Sequence, residues 1–530
     1  MKKSCIPPFP KEIDPDFIKQ LYDLIQEQAA TIQKQAEEIQ LLKDEIARLK
    51  NQPPRPKIRP SRISRQSKMK RSKSKRTGSK KNSKTSELTV HHIQKIEPEH
   101  VPEGSTFKYY KKYMTQDIKL EPFNTLYKIK VYETPDGKLI SGKLPAYLLG
   151  PHFGDHLRCF ILYQYHHCHV TQPLLLEQLH ELGIDISSGQ LSHIITRGKN
   201  DFHQEKDRIL SVGLEVSTYI NVDDTGARHD GNNGYCTHIG NDWFSWFQST
   251  GSKSRINFLR LLTTGYSHYC INADAIAYMQ ANNLPRYILD AIAGDLGKIL
   301  ADDHQWSRYL AQNAITKPLH IKIATEGALI GRIIAHGISD NLVIVSDDAG
   351  QFNILAHALC WIHAERTIDK IIPFTDKIKA DIDNVKDQIW TLYKGLKRFK
   401  QNPRHNEKKR LENMFDTVFT TQTSCVMLNE ALKRLYRNKS ELLLVLEHPE
   451  IPLHNNTAER ALRDYVKKRK ISGRTRSESG RSCRDTFASL KKTCRKLKVS
   501  FWRYLKDRVA KTHSIPDLTE LIRQQAMNPG

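Results

Sequence analysis

Apolar residues recur with three different periods along this chain, and each period marks a different kind of element. Between residues 13 and 50 the period is seven. Ile18, Ile25, Ile32, Ile39 and Ile46 repeat without interruption, and Leu21, Gln28, Gln35, Leu42 and Leu49 follow each of them by three. Isoleucine at a with leucine at d predicts a parallel two-stranded coiled coil, hence a homodimer, with the two glutamines weakening the seam and fixing its register. Over 155–200 the pattern is that of short helices. Pro173 to Leu182 is apolar at helical spacing and ends at Gly183. Ile184-Asp185-Ile186 follows, and Ser187 or Ser188 is placed to cap a second helix through Leu191 and Ile195. Helix, glycine turn and capped helix predict a helical, helix-turn-helix-like unit over 151–213.

From about residue 214 the period drops to that of strands. Thr218–Asp223, Tyr235–Gly240, Trp243–Ser249 and Leu342–Asp347 read as strands, with Gly240-Asn241-Asp242 as a turn. Residues 364–445 read as mostly helical, and a helix opens at Asn455-Asn456. The fold class expected is multidomain α/β. Trp243, Trp246 and Phe247 read as core packing rather than as a base-stacking platform.

The segments between these elements change the picture through their charge. Residues 51–86 contain no Asp or Glu, and fourteen Lys or Arg lie between Arg55 and Lys84. Such a stretch buries too little apolar surface to fold alone and reads as a disordered basic linker, whose Arg71, Lys73 and Arg76 are candidates for phosphate contacts. Residues 87–150 read as a small β-rich unit, in which Tyr127–Tyr132 alternates apolar and charged positions before a Pro135-Asp136-Gly137 turn. The net charge of +25 makes a polyanion the first partner to consider, and the linker accounts for only part of it. No apolar run is long enough for a membrane span, and the first residues lack the apolar stretch of a secretory signal. The nine cysteines are scattered without a Cys-x-x-Cys pair, as expected for a reducing cytoplasm.

Two of the apolar strands end in paired acids, Asp223-Asp224 and Asp347-Asp348. A buried strand tolerates a carboxylate only at its end, or where the charge is paired or metal-bound, and the carboxyl ends of strands in open α/β sheets are where ligands bind. Two such ends side by side offer hard oxygen ligands suited to Mg²⁺ or Mn²⁺. Adjacent strand residues face opposite ways, so one acid of each pair is free to reach a shared point; periodicity leaves open which. Glu459, early in the helix that Asn455 or Asn456 could cap, is the nominee for a third carboxylate. Its spacing alone reads equally as an ordinary helix pair with Arg463. Cys360 and His363 have ligand-like spacing but no partner pair, which favours a structural role. His166-His167-Cys168-His169 are contiguous and cannot all face one ion from a regular helix.

Here the residues carry a resemblance. His454-Asn455-Asn456-Thr457-Ala458-Glu459-Arg460-Ala461-Leu462-Arg463 resembles the signature around the last catalytic carboxylate of bacterial DDE transposases of the insertion-sequence sixty-six family, and Arg469-Lys470 stands where that family has a basic pair. Val222-Asp223-Asp224-Thr225 and Val345-Ser346-Asp347-Asp348-Ala349-Gly350 resemble the family's first and second aspartate segments. Cys360–Arg366 resembles its Cys-x-x-His segment. The resemblance implies an RNase H-like catalytic domain with a helical insertion. It also implies Asp223, Asp347 and Glu459 as catalytic ligands of two Mg²⁺ or Mn²⁺ ions, chosen over Asp224 and Asp348 by motif alignment. Arg460, Arg463, Arg469 and Lys470 would position DNA phosphates. The activity implied is cleavage of element ends and strand transfer into target DNA, with accessory proteins encoded beside the element as further partners. The catalytic core would span 214–352, the helical insertion 353–450, and the glutamate helix with a C-terminal helical region 451–530. Two departures stand out. Residues 87–150 hold no cysteine, where relatives carry a zinc-binding region. The Asp223–Asp347 interval is also long, predicting an insertion near 260–320. Rival readings are a nuclease or resolvase on the same fold, and an inactive, domesticated DNA-binding protein.

Overall fold

The computed structural model describes residues 89–144, 152–265 and 268–527, together with five isolated helical positions: Leu24, Glu27, Gln28, Thr31 and Gln35. Apart from those five, the heptad segment 13–50 lies outside the described residues, as does the basic linker 51–86 with Arg71, Lys73 and Arg76. The structure is mixed α/β, as its patterning predicts. Within 89–144 the regular structure is one antiparallel hairpin, β1 (Val131–Glu133) and β2 (Leu139–Ser141), closed by the Thr134–Gly137 turn. Of the β-rich unit expected over 87–150, this hairpin is what the described residues show. Its apolar side chains, Tyr127, Val131 and Ile140 among them, are exposed.

Helices α1 (Asp155–Leu162, continued by a π-helical turn Tyr163–His167), α2 (Gln172–Glu181) and α3 (Ser188–Thr196) enclose a small core of Ile161, Leu175, Leu179, Ile186, Leu191 and Ile195. Gly183 takes the left-handed conformation that ends α2, with φ of 76°. Ser187 starts α3 through a capping box with Gln190. Helix α4 (Asn200–Glu215) then leads into the central sheet.

That sheet has five strands in the order β5-β4-β3-β8-β9: β3 (Tyr219–Gly226), β4 (Tyr235–Gly240), β5 (Ser245–Thr250), β8 (Val343–Ser346) and β9 (Ala356–Leu359). β3, β4 and β5 form an antiparallel meander, while β8 and β9 extend it in parallel to β3. β3 and β8 read as unbroken apolar runs because both sheet faces are covered. Alternate residues feed two different cores. Ile220, Val222 and Ile344 pack with α4, the C-terminal helices and the segment between β5 and β8. Val343 and Val345 pack on the other face with the helices that follow β9. The expected insertion between the two aspartates is built from α5 (Arg255–Leu262), α6 (Ala273–Ala281), α7 (Arg286–Ala293), α8 (Asp303–Gln312) and α9 (Pro318–Ala335), with a short pair β6 (Tyr269–Cys270) and β7 (Ile299–Leu300). After β9 come α10 (Trp361–Asp369), then α11 (Asp376–Phe399), α12 (His405–Phe419), α13 (Val426–Arg437) and α14 (Lys439–Leu442). The chain closes with α15 (Asn456–Ser472), α16 (Glu478–Lys496), α17 (Phe501–Val509) and α18 (Leu518–Met527).

The edge of β5 is sealed by side chains rather than by another strand. The backbone N–H groups of Ser245, Phe247 and Ser249 donate to Thr493 Oγ1 (3.1 Å), Ser489 Oγ (2.9 Å) and Asp485 Oδ2 (2.6 Å) of α16. Four helical residues rise about 6 Å and two strand residues about 6.6 Å. An i, i+4, i+8 row on a helix therefore matches alternate N–H groups of a strand, and it removes an edge that would otherwise recruit another chain. Asp485 also accepts from Tyr465 of α15 at 2.8 Å, which couples the edge seal to the helix carrying Glu459. Asp485→Ala leaves these buried donors without an acceptor and is expected to destabilise the fold by about 3 kcal/mol. Calorimetric or denaturant unfolding measures it, and a change under about 0.5 kcal/mol would contradict this account of the edge.

Candidate active site

The parallel register of β3 and β8 pairs Tyr219 with Val343, Ile220 with Ile344, and Asn221 with Val345. Carried on by two residues, it brings Asp223 beside Asp347 just past the end of the β3–β8 ladder; the expected strand Thr218–Asp223 does not stop at its acids, because β3 runs on to Gly226 paired with β4. Both follow the side-chain set that includes Asn221 and Val345, so they share one face of the sheet. The neighbouring acids are engaged elsewhere. Asp224 accepts from Gln351 Nε2 at 2.8 Å, and Asp348 is paired with Arg434 and Asn438.

The electrostatics register this closeness. Burial, reinforced by the Asp347 charge and by Asp224 and Glu459, pushes the Asp223 carboxyl up to about 7. Its Oδ1 accepts from the Asp224 N–H at 2.8 Å, and Asp347 Oδ1 accepts from Ala349 N–H at 3.2 Å. Burial likewise raises Asp224.

Glu459 enters from α15. Its Oε1 lies 3.4 Å from Arg366 Nη1 and 3.7 Å from His363 Nε2, and its Oε2 lies 3.3 Å from Arg463 Nη2. Arg366 Nη1 also donates to His363 Nε2 at 3.1 Å. Burial, followed by the Arg366 charge, lowers the His363 pKa, and its buried Nδ1 has no partner. Glu459 thus sits in the field of Asp223 while bound to guanidinium groups. Among the described residues, no three His, Cys, Asp or Glu side chains converge closely enough to hold one ion. The donor set nevertheless suits a hard divalent cation. Asp223 and Asp347 offer oxygen ligands whose mutual repulsion such an ion would relieve, and Glu459 would join on exchanging Arg366 for metal.

Of the basic residues singled out in sequence, Arg460, Arg463 and Lys470 are exposed on α15. Arg463 and Lys470 follow Glu459 at i+4 and i+11, along the same stripe. Arg469 is half-buried, and its Nη1 donates to Thr225 Oγ1 at 3.4 Å beside the end of β3. The sequence reading did not single out Arg366 as a partner of Glu459. The signal available was the i, i+3 spacing of His363 and Arg366, which places both on one face of α10. Asn455 occupies the N-cap position of α15, but its side chain makes no cap bond and turns instead toward β3. His166 stacks on Phe487, with ring centroids 4.0 Å apart.

The structure is thus a mixed α/β protein whose sheet register sets two aspartates opposite each other, with a glutamate-bearing helix bonded alongside. Residues 329–482 match the family model described as Transposase IS66 family, a span that holds Asp347, His363, Arg366 and Glu459. The chain is also 41% identical over 303 residues to the uncharacterized protein y4jO of Sinorhizobium fredii, covering 57% of this chain and 94% of that protein. This chain belongs to the IS66 transposase family. No helix among the described residues is long and apolar enough to cross a membrane.

The raised Asp223 carboxyl has a consequence for metal-free protein. Between the ordinary 3.8 and about 7, the folded state keeps a proton that the unfolded chain has released. Stability contributed at this position therefore falls as pH rises through that window. In chelator, Asp223→Asn should match the wild type near pH 4 and exceed it near pH 8, by up to ~4 kcal/mol. Unfolding curves across pH check this, and parallel profiles for the two proteins would contradict it.

Proposed function

We propose that this protein is a DDE transposase, with Asp223, Asp347 and Glu459 holding two Mg²⁺ or Mn²⁺ ions on an RNase H-like core. The observation that carries the reading is the β3–β8 parallel register, which sets Asp223 and Asp347 opposite each other just past the end of that ladder, on the sheet face to which the Glu459 helix is bonded. The mixed sheet, with its antiparallel meander continued by two parallel strands, supports the RNase H-like assignment, and the helices between β9 and α15 occupy the place of the family's helical insertion.

Bound there, paired divalent ions would stabilise the attacking and leaving oxygens of a phosphodiester displacement. The chain's own residues do the rest. Asp223 and Asp347 fix the centre to the rigid end of the sheet, and Glu459 closes it from α15. Arg460, Arg463, Arg469 and Lys470 place the DNA backbone by pairing with phosphate oxygens. In the first step water attacks phosphorus at the element end, losing a proton, and the bond to the 3′ oxygen breaks to leave a 3′-hydroxyl. In the second that hydroxyl attacks a target phosphodiester and expels a target 3′ oxygen, so one bond forms as one breaks. The heptad segment 13–50 would pair two protomers and so bring two element ends together. The linker with Arg71, Lys73 and Arg76 would add sequence-independent phosphate contacts. Accessory proteins of the element are further partners, and the compartment proposed is the cytoplasm.

Asp223→Ala, Asp347→Ala and Glu459→Ala should each lower Mg²⁺-dependent cleavage and joining of end-bearing DNA by about a thousandfold, equivalent to ~4 kcal/mol of barrier, while leaving the fold intact. Retained cleavage in Asp223→Ala would remove the basis of the reading, and nicking without any joined product would favour a nuclease instead. Arg460→Ala and Lys470→Ala should each weaken DNA binding regardless of sequence and reduce the slope of log affinity against log salt by about 1. An unchanged slope would take the phosphate role away from α15.

A further inference from the structure

The three acids stand on elements remote in sequence, yet one residue is bonded next to Asp223 by its side chain and to Glu459 by its backbone, and reaches Asp347 through a single intermediary. Asn455 is fully buried and uses every polar group it has. Its Nδ2 donates to the carbonyl of Val222 at 2.7 Å, the residue before Asp223. Its Oδ1 accepts from Nδ2 of Asn221 at 2.9 Å, on the same strand face as Asp223. Its backbone carbonyl accepts from the N–H of Glu459 at 3.1 Å, and its backbone N–H donates to Cys360 Sγ at 3.2 Å. Cys360 in turn donates its own N–H to the carbonyl of Ser346 at 2.9 Å, the residue before Asp347.

Two details argue that this node exists for placement. Asparagine at an N-cap ordinarily turns its oxygen back onto its own helix, and Asn455 forgoes that bond to reach β3. Asn221 is buried with its Oδ1 unpaired, an arrangement that costs about 1–3 kcal/mol. Its retained contribution is the single donation to Asn455. A carboxamide is the group that donates to one fixed partner and accepts from another at once. Aspartate would lose the donor to Val222, and leucine would strand both partners.

We propose that Asn455 is the positioning residue of the carboxylate centre, its carboxamide setting where Glu459 stands relative to Asp223 and Asp347. Cys360, the first residue of the Cys-x-x-His segment, serves the same node by joining Asn455 to the strand of Asp347. The proposal rests on the reading of these acids as metal ligands, and the test separates the two.

Full-length wild type, Asn455→Ala, Asn221→Ala and Asp223→Ala are compared in three measurements. These are Mn²⁺ binding followed by electron paramagnetic resonance without DNA, thermal unfolding in chelator, and cleavage against Mg²⁺ and Mn²⁺ concentration. Asn455→Ala should bind Mn²⁺ about tenfold more weakly, as loss of a group orienting the ligands does. Its half-saturating Mg²⁺ should rise with it, and Mn²⁺ should recover more of the cleavage than Mg²⁺, because Mg²⁺ demands near-ideal octahedral ligands. Asn221→Ala should shift the same quantities in the same direction by less. A folded Asn455→Ala with wild-type Mn²⁺ affinity, beside an impaired Asp223→Ala, overturns the positioning role while leaving the metal centre standing. Wild-type Mn²⁺ affinity in Asp223→Ala overturns the metal centre and the positioning role together. If Asn455→Ala does not fold, Asn221→Ala decides by the same affinity criterion, since it removes only one bond.

Discussion

Everything in the site depends on the parallel, in-register pairing of β3 with β8. It holds two carboxylates next to each other at the rim of a sheet whose interior is apolar on both faces, an arrangement that is electrostatically unfavourable for the bare protein. The strands tolerate it because the acids stand just beyond the last paired residues of the β3–β8 ladder, Asn221 and Val345, while β3 continues to Gly226 along β4 alone. Behind them, Ile220, Val222 and Ile344 anchor one core and Val343 and Val345 another, so the backbone cannot slide to separate the acids without unpacking both. Strain of this kind, fixed by a rigid frame, is what a site prepared for cations is expected to show.

Glu459 is held differently. It reaches the site from a helix, and in this state Arg366 and Arg463 pair with its charge while the His363 ring lies beside it. The helix is itself secured at both ends of its first half. Asn455 binds it to β3, and Tyr465 binds it through Asp485 to the edge strand β5. On the proposed reading, Glu459 would turn toward the aspartates by a side-chain exchange of Arg366 for a cation, with the helix staying in place. The helices between β9 and this helix pack on the sheet face that carries Val343 and Val345, and they reach the acids through His363 and Arg366 beside Glu459 and through Arg434 and Asn438 beside Asp348.

Much of this frame was legible in the sequence because it rests on local patterns. The four strands from Thr218 to Asp347 appear as apolar runs with turn residues between them, and Ser187 caps its helix as its spacing with Gln190 indicates. The choice within each Asp-Asp pair was not legible from periodicity, which is symmetric until one residue of the strand is known to face a given core. Pairings between remote segments were equally hidden. Nothing in Asn455-Asn456 says that the carboxamide turns away from its own helix. The row Asp485, Ser489, Thr493 reads as an ordinary polar helix stripe until β5 is seen beside it. Nothing local pairs Arg366 with Glu459, which stands 93 positions away. Among the described residues of the β-rich unit expected over 87–150, the regular structure is the hairpin β1–β2, since alternation over a few residues sets a strand but does not supply the partners for a sheet.

The most direct measurement is anomalous diffraction from crystals of the protein bound to its element-end DNA and Mn²⁺. The account predicts two manganese peaks between the carboxylates of Asp223, Asp347 and Glu459, with Arg366 released from Glu459. Manganese elsewhere, or Glu459 still paired with Arg366 while the ions bind without it, would contradict it.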